Sequence, residues 1–100
     1  MNKHQISVDQ IQAFAAHLRQ AERSPGTIEN YLRHVRTFTA WLGHRPATKE
    51  AAAGWKAHLI DKGYCPSTIN AMLGGLNRFL AFVGWQECQV KALRLQRQLF

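Results

Sequence analysis

The chain has 100 residues, of which 46% are hydrophobic, and this suffices for one compact domain but not for two. Thirteen Lys and Arg residues against six Asp and Glu residues give a formal net charge of +7, a balance typical of domains that bind nucleic acid. Since small basic domains are also often simply soluble, the charge alone does not decide the function.

The cysteines and the start of the chain limit which metal or disulfide chemistry and which cellular compartment the sequence supports. Cys65 and Cys88 form no CxxC pair, and the histidines lack the spacing of a zinc finger, so we expect no metal, no cofactor and no disulfide framework. The start, MNKHQISVDQ, lacks the apolar run of a signal peptide, and the longest apolar stretch, residues 79–85, is too short for a membrane span. These features predict a soluble cytoplasmic protein without a membrane partner.

The first predicted helix begins after Ser7. Gln10 lies three residues further on, as in a capping box, and Ile6 can pack against Ile11 as a hydrophobic staple. The expected buried stripe of this helix consists of Ile11, Phe14, Ala15 and Leu18.

The second predicted helix has Ser24 before it and Pro25 at its first position, where a proline loses no hydrogen bond. Gly43 is expected to end it. Apolar spacing predicts that its buried stripe consists of Ile28, Leu32, Val35, Phe38, Thr39 and Leu42.

The third and fourth helices follow in the same way. Thr48 can cap a third helix that runs to Lys62, and Gly63 supplies a left-handed stop. The fourth helix starts after Cys65 or Ser67. Serine is the better cap and is therefore preferred, although alignment with the second helix favours Cys65.

An internal repeat relates the second and fourth helices. The segment Pro25 to Gly43 (PGTIENYLRHVRTFTAWLG) returns 41 residues later as Pro66 to Gly84 (PSTINAMLGGLNRFLAFVG). Two copies are too few for a solenoid, and no alternating pattern predicts a strand. We therefore expect an all-α domain of four helices, arranged as two helical hairpins.

The segment after Gln86 has a looser pattern. Val90 and Leu93 alternate with basic residues such as Lys91 and Arg94. This pattern fits either a short fifth helix or an extended linker.

Catalytic groups are sparse in this sequence. The six carboxylates are scattered, and no nucleophile lies at motif spacing from a histidine, so the chain is not expected to be an enzyme. Tyr31 and Tyr64 are interpreted as packing residues.

The faces opposite the apolar stripes suggest a binding function. The second helix carries Asn30, Arg33 and Thr37 there, with Arg36 alongside. The fourth helix carries Ala71, Gly74 and Arg78, flanked by Ser67, Asn70 and Asn77. Amides and hydroxyls mixed with arginine can read base edges and neutralise phosphates, although an ordinary solvated face has a similar composition.

Gly74 and Gly75 add to this interpretation, because each glycine inside a helix costs roughly 1 kcal/mol relative to alanine. Either another helix packs closely there or a DNA backbone approaches. The angular position puts Gly74 on the open face and Gly75 at its edge, which favours approach by a partner.

Together, SPGTIENYLRHVRTFTAWLG and GYCPSTINAMLGGLNRFLAFVGW resemble the N-terminal SAM-like, core-binding domain of tyrosine recombinases, the phage and transposon integrase family. The resemblance covers about residues 5–85. It implies an orthogonal four-helix bundle in residues 1–86 and a linker in residues 87–100 that leads toward a separate catalytic domain. The implied parent protein, bacterial or phage-encoded, cuts and rejoins DNA through a phosphotyrosine intermediate, whereas this chain contains no catalytic residue of the family.

The resemblance also implies that this domain forms half of a clamp around double-stranded DNA, and that the full-length protein meets other recombinase protomers on the DNA. The positions then expected to face DNA, including the open-face glycine, are Thr27, Asn30, Arg33, Thr37, Ser67, Thr68, Asn70, Gly74, Asn77 and Arg78. Gly74 stands where the second helix has Arg33, so the two helices are not expected to contribute equally. A helical protein-interaction module and a small DNA-binding regulator are the alternatives.

Overall fold

The computed structural model describes residues 4–94, which form α1 (Val8–Gln20), α2 (Pro25–Leu42), α3 (Lys49–Asp61), α4 (Pro66–Phe82) and a 3₁₀ turn, Gln86–Cys88. Over this range the only β-type pairing is an isolated bridge between His4 and Ala47. The predicted all-α class with four helices is confirmed. Among the helices described, none has both the length and the apolar character that crossing a bilayer requires.

Three helix starts follow the predicted capping chemistry. The Ser7 hydroxyl accepts a hydrogen bond from the Gln10 amide at 3.1 Å, and the Gln10 side chain accepts one from the Ser7 amide at 2.8 Å. Ser24 and Thr48 cap α2 and α3 in the same manner through their hydroxyls. These bonds satisfy amides that have no partner within the helix.

The fourth helix starts earlier than predicted. Pro66 is its first residue and Cys65 is its N-cap, so the preference for Ser67 as the cap was wrong. Proline suits the first helical position because its fixed φ is already helical and it has no N–H to satisfy. This effect outweighs the better capping chemistry of serine, and the repeat indicated the correct boundary.

Two left-handed glycines end α2 and α3 as expected. Gly43 follows α2 with φ 67°, and Gly63 lies beyond α3 with φ 88°. A residue with a Cβ rarely adopts this conformation, so glycine stops each helix at low cost.

The centre of the domain is the packing of α2 against α4, the two copies of the repeat, and this contact is the most extensive one between helices. The helix α1 packs on both, and α3 packs on both from another side. Aromatic rings fill the core: Phe38 meets Trp55 edge-on at 5.2 Å, and Phe14 meets Phe79 at 5.5 Å. The predicted stripe of α1 is buried in full, whereas Leu32 and Thr39 of α2 are only half-buried.

The glycine pair of α4 has two different environments. A Cβ built on Gly75 would lie 2.9 Å from His34 Nδ1 and 3.1 Å from His34 Cβ, so close packing of α2 is the reason for this glycine. A Cβ on Gly74 would meet nothing within 4 Å. Of these two glycines, only Gly74 therefore has the open space that the approach of a partner requires.

His34 Nδ1 is buried without a hydrogen bond to another described residue. Burial, followed by the charge of Arg33, lowers the pKa of this histidine.

After the 3₁₀ turn Gln89 is extended, and residues 89–94 belong to no helix, so the alternative of a short fifth helix does not apply to this part of the segment. Cys88 and Val90 are buried in the core, and Leu93 packs against it. Packing therefore continues past residue 86, and the expected division between domain and linker at this point stays a prediction. Residues 95–100 of the predicted linker lie outside the described residues.

We predict opposite effects on stability for alanine at the two glycines. Gly74→Ala should stabilise the domain by about 0.5–1 kcal/mol, because alanine is the better helix former and its methyl group meets open space. Gly75→Ala should be less stable than Gly74→Ala by about 2 kcal/mol, because the new methyl group overlaps His34. Urea unfolding of both variants measures the difference, and equal stabilities would contradict the close approach of α2 to α4.

Candidate nucleic-acid interface

The exposed polar strip of α2 consists of Asn30, Arg33, Arg36 and Thr37, and all four side chains are exposed. The Arg33 side chain is 63% exposed and lies 3.8 Å from the carboxylate of Glu29. An exposed pair of this kind contributes roughly 0 to 1 kcal/mol, so its arginine can exchange the carboxylate for a phosphate at little cost. The strip therefore offers cationic and amide groups that are ready for an anionic partner.

The hydroxyl groups of two threonines in α2 already form hydrogen bonds within the protein. The Thr37 hydroxyl donates to the Arg33 carbonyl at 2.8 Å. The Thr27 hydroxyl is half-buried and accepts from the Ser24 hydroxyl at 2.9 Å. Both threonines keep acceptor capacity, but their first structural role is to stabilise the helix.

The N-terminus of α4 presents Ser67 and Thr68 beside Cys65. The Cys65 sulfur lies 3.4 Å from the Ser67 hydroxyl and 3.1 Å from the Thr68 hydroxyl. Hydrogen bonds from Ser67, and then from Thr68, lower the pKa of the exposed Cys65 thiol to about 7. The sequence analysis did not identify this thiol as reactive. Its position directly before Pro66, at the start of α4 that the repeat indicates, was a signal that could have identified it.

Arg78 connects the polar face of α4 with α2. Its guanidinium lies 5.6 Å from the centre of the Tyr31 ring, which is half-buried as the packing interpretation of that tyrosine expected. Arg78 is also exposed, as is Gly74 one turn earlier. The structure thus brings a basic residue of α4 against a tyrosine of α2.

Asn70 and Asn77 do not present their amides to solvent as the sequence suggested. Asn77 donates to the Val90 carbonyl at 2.7 Å and accepts from the Val90 amide at 3.1 Å. Asn70 forms the same pair of bonds with Leu93, at 2.9 and 2.6 Å. Each amide thus uses one donor and one acceptor within the protein and is less available to a partner than the sequence suggested, and the expectation that these two residues face DNA stays a prediction. No local sequence signal linked α4 to this segment.

Part of the positive charge is likewise engaged within the protein. Arg45 donates to the carbonyls of Leu42 and Trp41 and lies over the Trp41 ring, which stabilises the end of α2. Lys49 and Lys56 donate to carbonyls of the extended segment. On the two central helices, Arg33, Arg36 and Arg78 are exposed to a partner, and other exposed basic residues lie elsewhere on the domain: Arg19, Arg23, Lys62, Lys91 and Arg94.

The only group of three potential metal ligands found within residues 4–94 is His4, Glu87 and Cys88, whose ligand atoms lie within 4.8 Å of one another. His4 pairs with Glu87 at 2.7 Å and stacks on Trp85 at 4.3 Å, and this hydrogen bond lowers the pKa of Glu87. Burial raises the pKa of the Cys88 thiol, which donates weakly to the Ala47 carbonyl at 3.7 Å. The contact between His4 and Glu87 ties the N-terminal segment to the 3₁₀ turn.

Four helices built around a repeated helix, with a polar strip on each copy, define a SAM-like helical domain. The chain belongs to the family described as phage integrase, N-terminal SAM-like domain, whose model matches residues 11–87. The match runs from the first buried residue of α1 into the 3₁₀ turn, and it confirms the resemblance inferred from the sequence. Comparison with curated proteins and with solved structures gave no match.

We predict that Cys65 reacts with iodoacetamide with a half-maximal rate near pH 7, because its thiolate is already half-formed there. Replacing Ser67 and Thr68 by alanine should move this midpoint upward, toward the ordinary thiol pKa of 9.0, since the hydroxyls stabilise the thiolate. Mass spectrometry across a pH series measures the rate, with buried Cys88 as the internal control. An unchanged midpoint in the double variant would exclude the hydroxyls as the cause.

Proposed function

We propose that this chain is the DNA-binding arm of a site-specific tyrosine recombinase, which grips duplex DNA at the core site during DNA integration and recombination. The observation that supports the proposal most is the exposed basic strip on the two central helices of a domain from the integrase family. The residues assigned to DNA are Thr27, Asn30, Arg33, Thr37, Ser67, Thr68, Gly74 and Arg78. Cleavage and rejoining of strands belong, in this proposal, to a separate catalytic domain of a cytoplasmic recombinase that acts with further protomers.

The chemistry of the strip on α2 suits a DNA groove. Arg33 and Arg36 can neutralise phosphates or read guanine, and Asn30 can offer a donor and an acceptor to one base. The net charge of +7 adds long-range attraction toward a polyanion. Glu29 is the single acidic residue among these side chains, and its carboxylate is held close to Arg33.

The second repeat contributes shape more than charge. Gly74 leaves open space where a side chain would stand, so a sugar-phosphate backbone can approach α4 closely. Arg78 supplies charge one turn further along, and its position over Tyr31 limits its freedom before binding. In this proposal α2 provides most of the affinity for DNA, and α4 provides a surface that the DNA backbone can approach closely.

We predict that Arg33→Gln weakens binding to duplex DNA by about 1–3 kcal/mol if Arg33 reads a base, and lowers the salt slope by about 0.9 if it contacts one phosphate. Gln12→Glu is the matched control, since it also lowers the net charge by one and Gln12 is exposed on α1. Fluorescence anisotropy with a labelled duplex at several salt concentrations measures both quantities. The wild-type chain should bind weakly, with Kd of roughly 10⁻⁴ to 10⁻⁶ M.

Two results would contradict the proposal. Equal losses in Arg33→Gln and Gln12→Glu would show that only net charge matters, and the strip on α2 would not be the binding surface. Affinity that does not change with salt would exclude phosphate contacts and would favour the protein-interaction alternative.

A further inference from the structure

The extended segment after the 3₁₀ turn, residues 89–93, lies between α3 and α4. From the α3 side, Lys49 donates to the Gln89 carbonyl at 3.0 Å and Lys56 donates to the Lys91 carbonyl at 2.8 Å. From the α4 side, Asn77 and Asn70 bind residues 90 and 93. Both helices therefore contact the main chain of this segment.

Each asparagine of α4 binds both main-chain groups of a single residue. Asn77 pairs with the N–H and the carbonyl of Val90, and Asn70 pairs with those of Leu93. An asparagine amide carries a donor and an acceptor side by side, so it matches this pair of groups in two bonds. Gln89 adds a reverse bond from its side chain to the Asn77 carbonyl at 2.9 Å.

The three-residue period of these contacts fits polyproline II geometry. Seven residues of α-helix from Asn70 to Asn77 span about 10.5 Å, and three residues of any extended chain from Val90 to Leu93 span about 9 to 10 Å, so both asparagines can reach their partners. Polyproline II has three residues per turn and places these two residues on the same side, whereas a β-strand would place them on opposite sides. Gln89, which opens the segment, has φ −66° and ψ 148°, close to the ideal values of this conformation.

Side chains contribute less to the recognition than the main chain does. Val90 is buried, with 8% of its surface exposed, and Leu93 is half-buried. Lys91, Ala92 and Arg94 are exposed. The surface therefore selects an apolar residue at the position of Val90 and a residue that can be half-buried at the position of Leu93. It also requires a main-chain N–H group at both positions.

We infer that the surface between α3 and α4 is a binding groove for a polyproline II segment, and that its ligand is the chain's own residues 89–93. Polyproline II forms no internal hydrogen bonds, so its N–H and carbonyl groups remain free for side chains to bind. Asn70 and Asn77 are the positioning residues of the groove, and they fix the course of the chain up to Arg94. The inference does not depend on the proposed DNA binding.

Proline substitutions test the groove directly. Ala92→Pro should leave the segment bound, since the Ala92 amide donates no hydrogen bond to another residue in the range 4–94 and proline favours the required conformation. Leu93→Pro should release it, because the amide that donates to Asn70 is removed. Leu93→Ala controls for the lost side chain, and circular dichroism confirms that each variant is folded.

The readouts are hydrogen exchange of the Asn70 side-chain amide and the heteronuclear NOE of the Arg94 amide in the full chain. In Leu93→Pro the exchange should rise by about tenfold, the factor expected when one hydrogen bond to a partly buried group is lost, and the NOE should fall. Ala92→Pro and Leu93→Ala should stay near wild type. Release in Ala92→Pro, or retention in Leu93→Pro, would overturn the inference.

Asparagine variants provide an independent test. Asn70→Ala should lower the NOE at Leu93 and Arg94, and Asn77→Ala should speed exchange of the Val90 amide by about tenfold. Asn30→Ala, in the exposed strip of α2, is the matched control and should change neither. If both variants of α4 behave like Asn30→Ala, apolar packing of Val90 alone holds the segment and the groove does not read the main chain.

Discussion

The rest of the structure depends on the close packing of α2 against α4. This contact buries the apolar stripes of both helices, and it supplies the surface on which α1 and α3 pack. Its closest point is set by Gly75, because a larger residue there would overlap His34. The same packing decides which polar residues remain outside, so the exposed strip of α2 and the contact of Arg78 with Tyr31 both follow from it.

Two edges of α4 have different surroundings. One edge, with Asn70 and Asn77, binds the main chain of the segment that follows the 3₁₀ turn. The neighbouring edge, with Gly74 and Arg78, is exposed. A strip of asparagines, glycine and arginine that looked uniform in the sequence is therefore divided along its length, because the chain itself binds both asparagine amides.

Local rules of sequence predicted the helices well, because capping and amphipathic spacing involve residues only three or four positions apart. Ser7 with Gln10 is one such case, and the buried stripe of α1 is another. The start of α4 was misjudged because proline and serine gave conflicting local signals, which the repeat resolved. The role of Asn70 could not be predicted, since its partner Leu93 lies 23 residues away and no periodic pattern connects them. For the candidate site, the sequence identified the exposed residues of α2 but not the hydrogen bonds that join Asn70 and Asn77 to the segment after the 3₁₀ turn.

His34 and Gly75 occupy equivalent positions in the two copies of the repeat, 41 residues apart. Their contact shows that this position of the repeat in α2 faces its own counterpart in α4. Two identical bulky residues at such a point would compete for one volume, and two glycines would leave a void. The domain avoids both outcomes because the two copies differ here, one large and one without a side chain. A duplicated helix that packs against its own copy must therefore differ in sequence where equivalent positions meet, and the preceding positions, Arg33 and Gly74, differ as well.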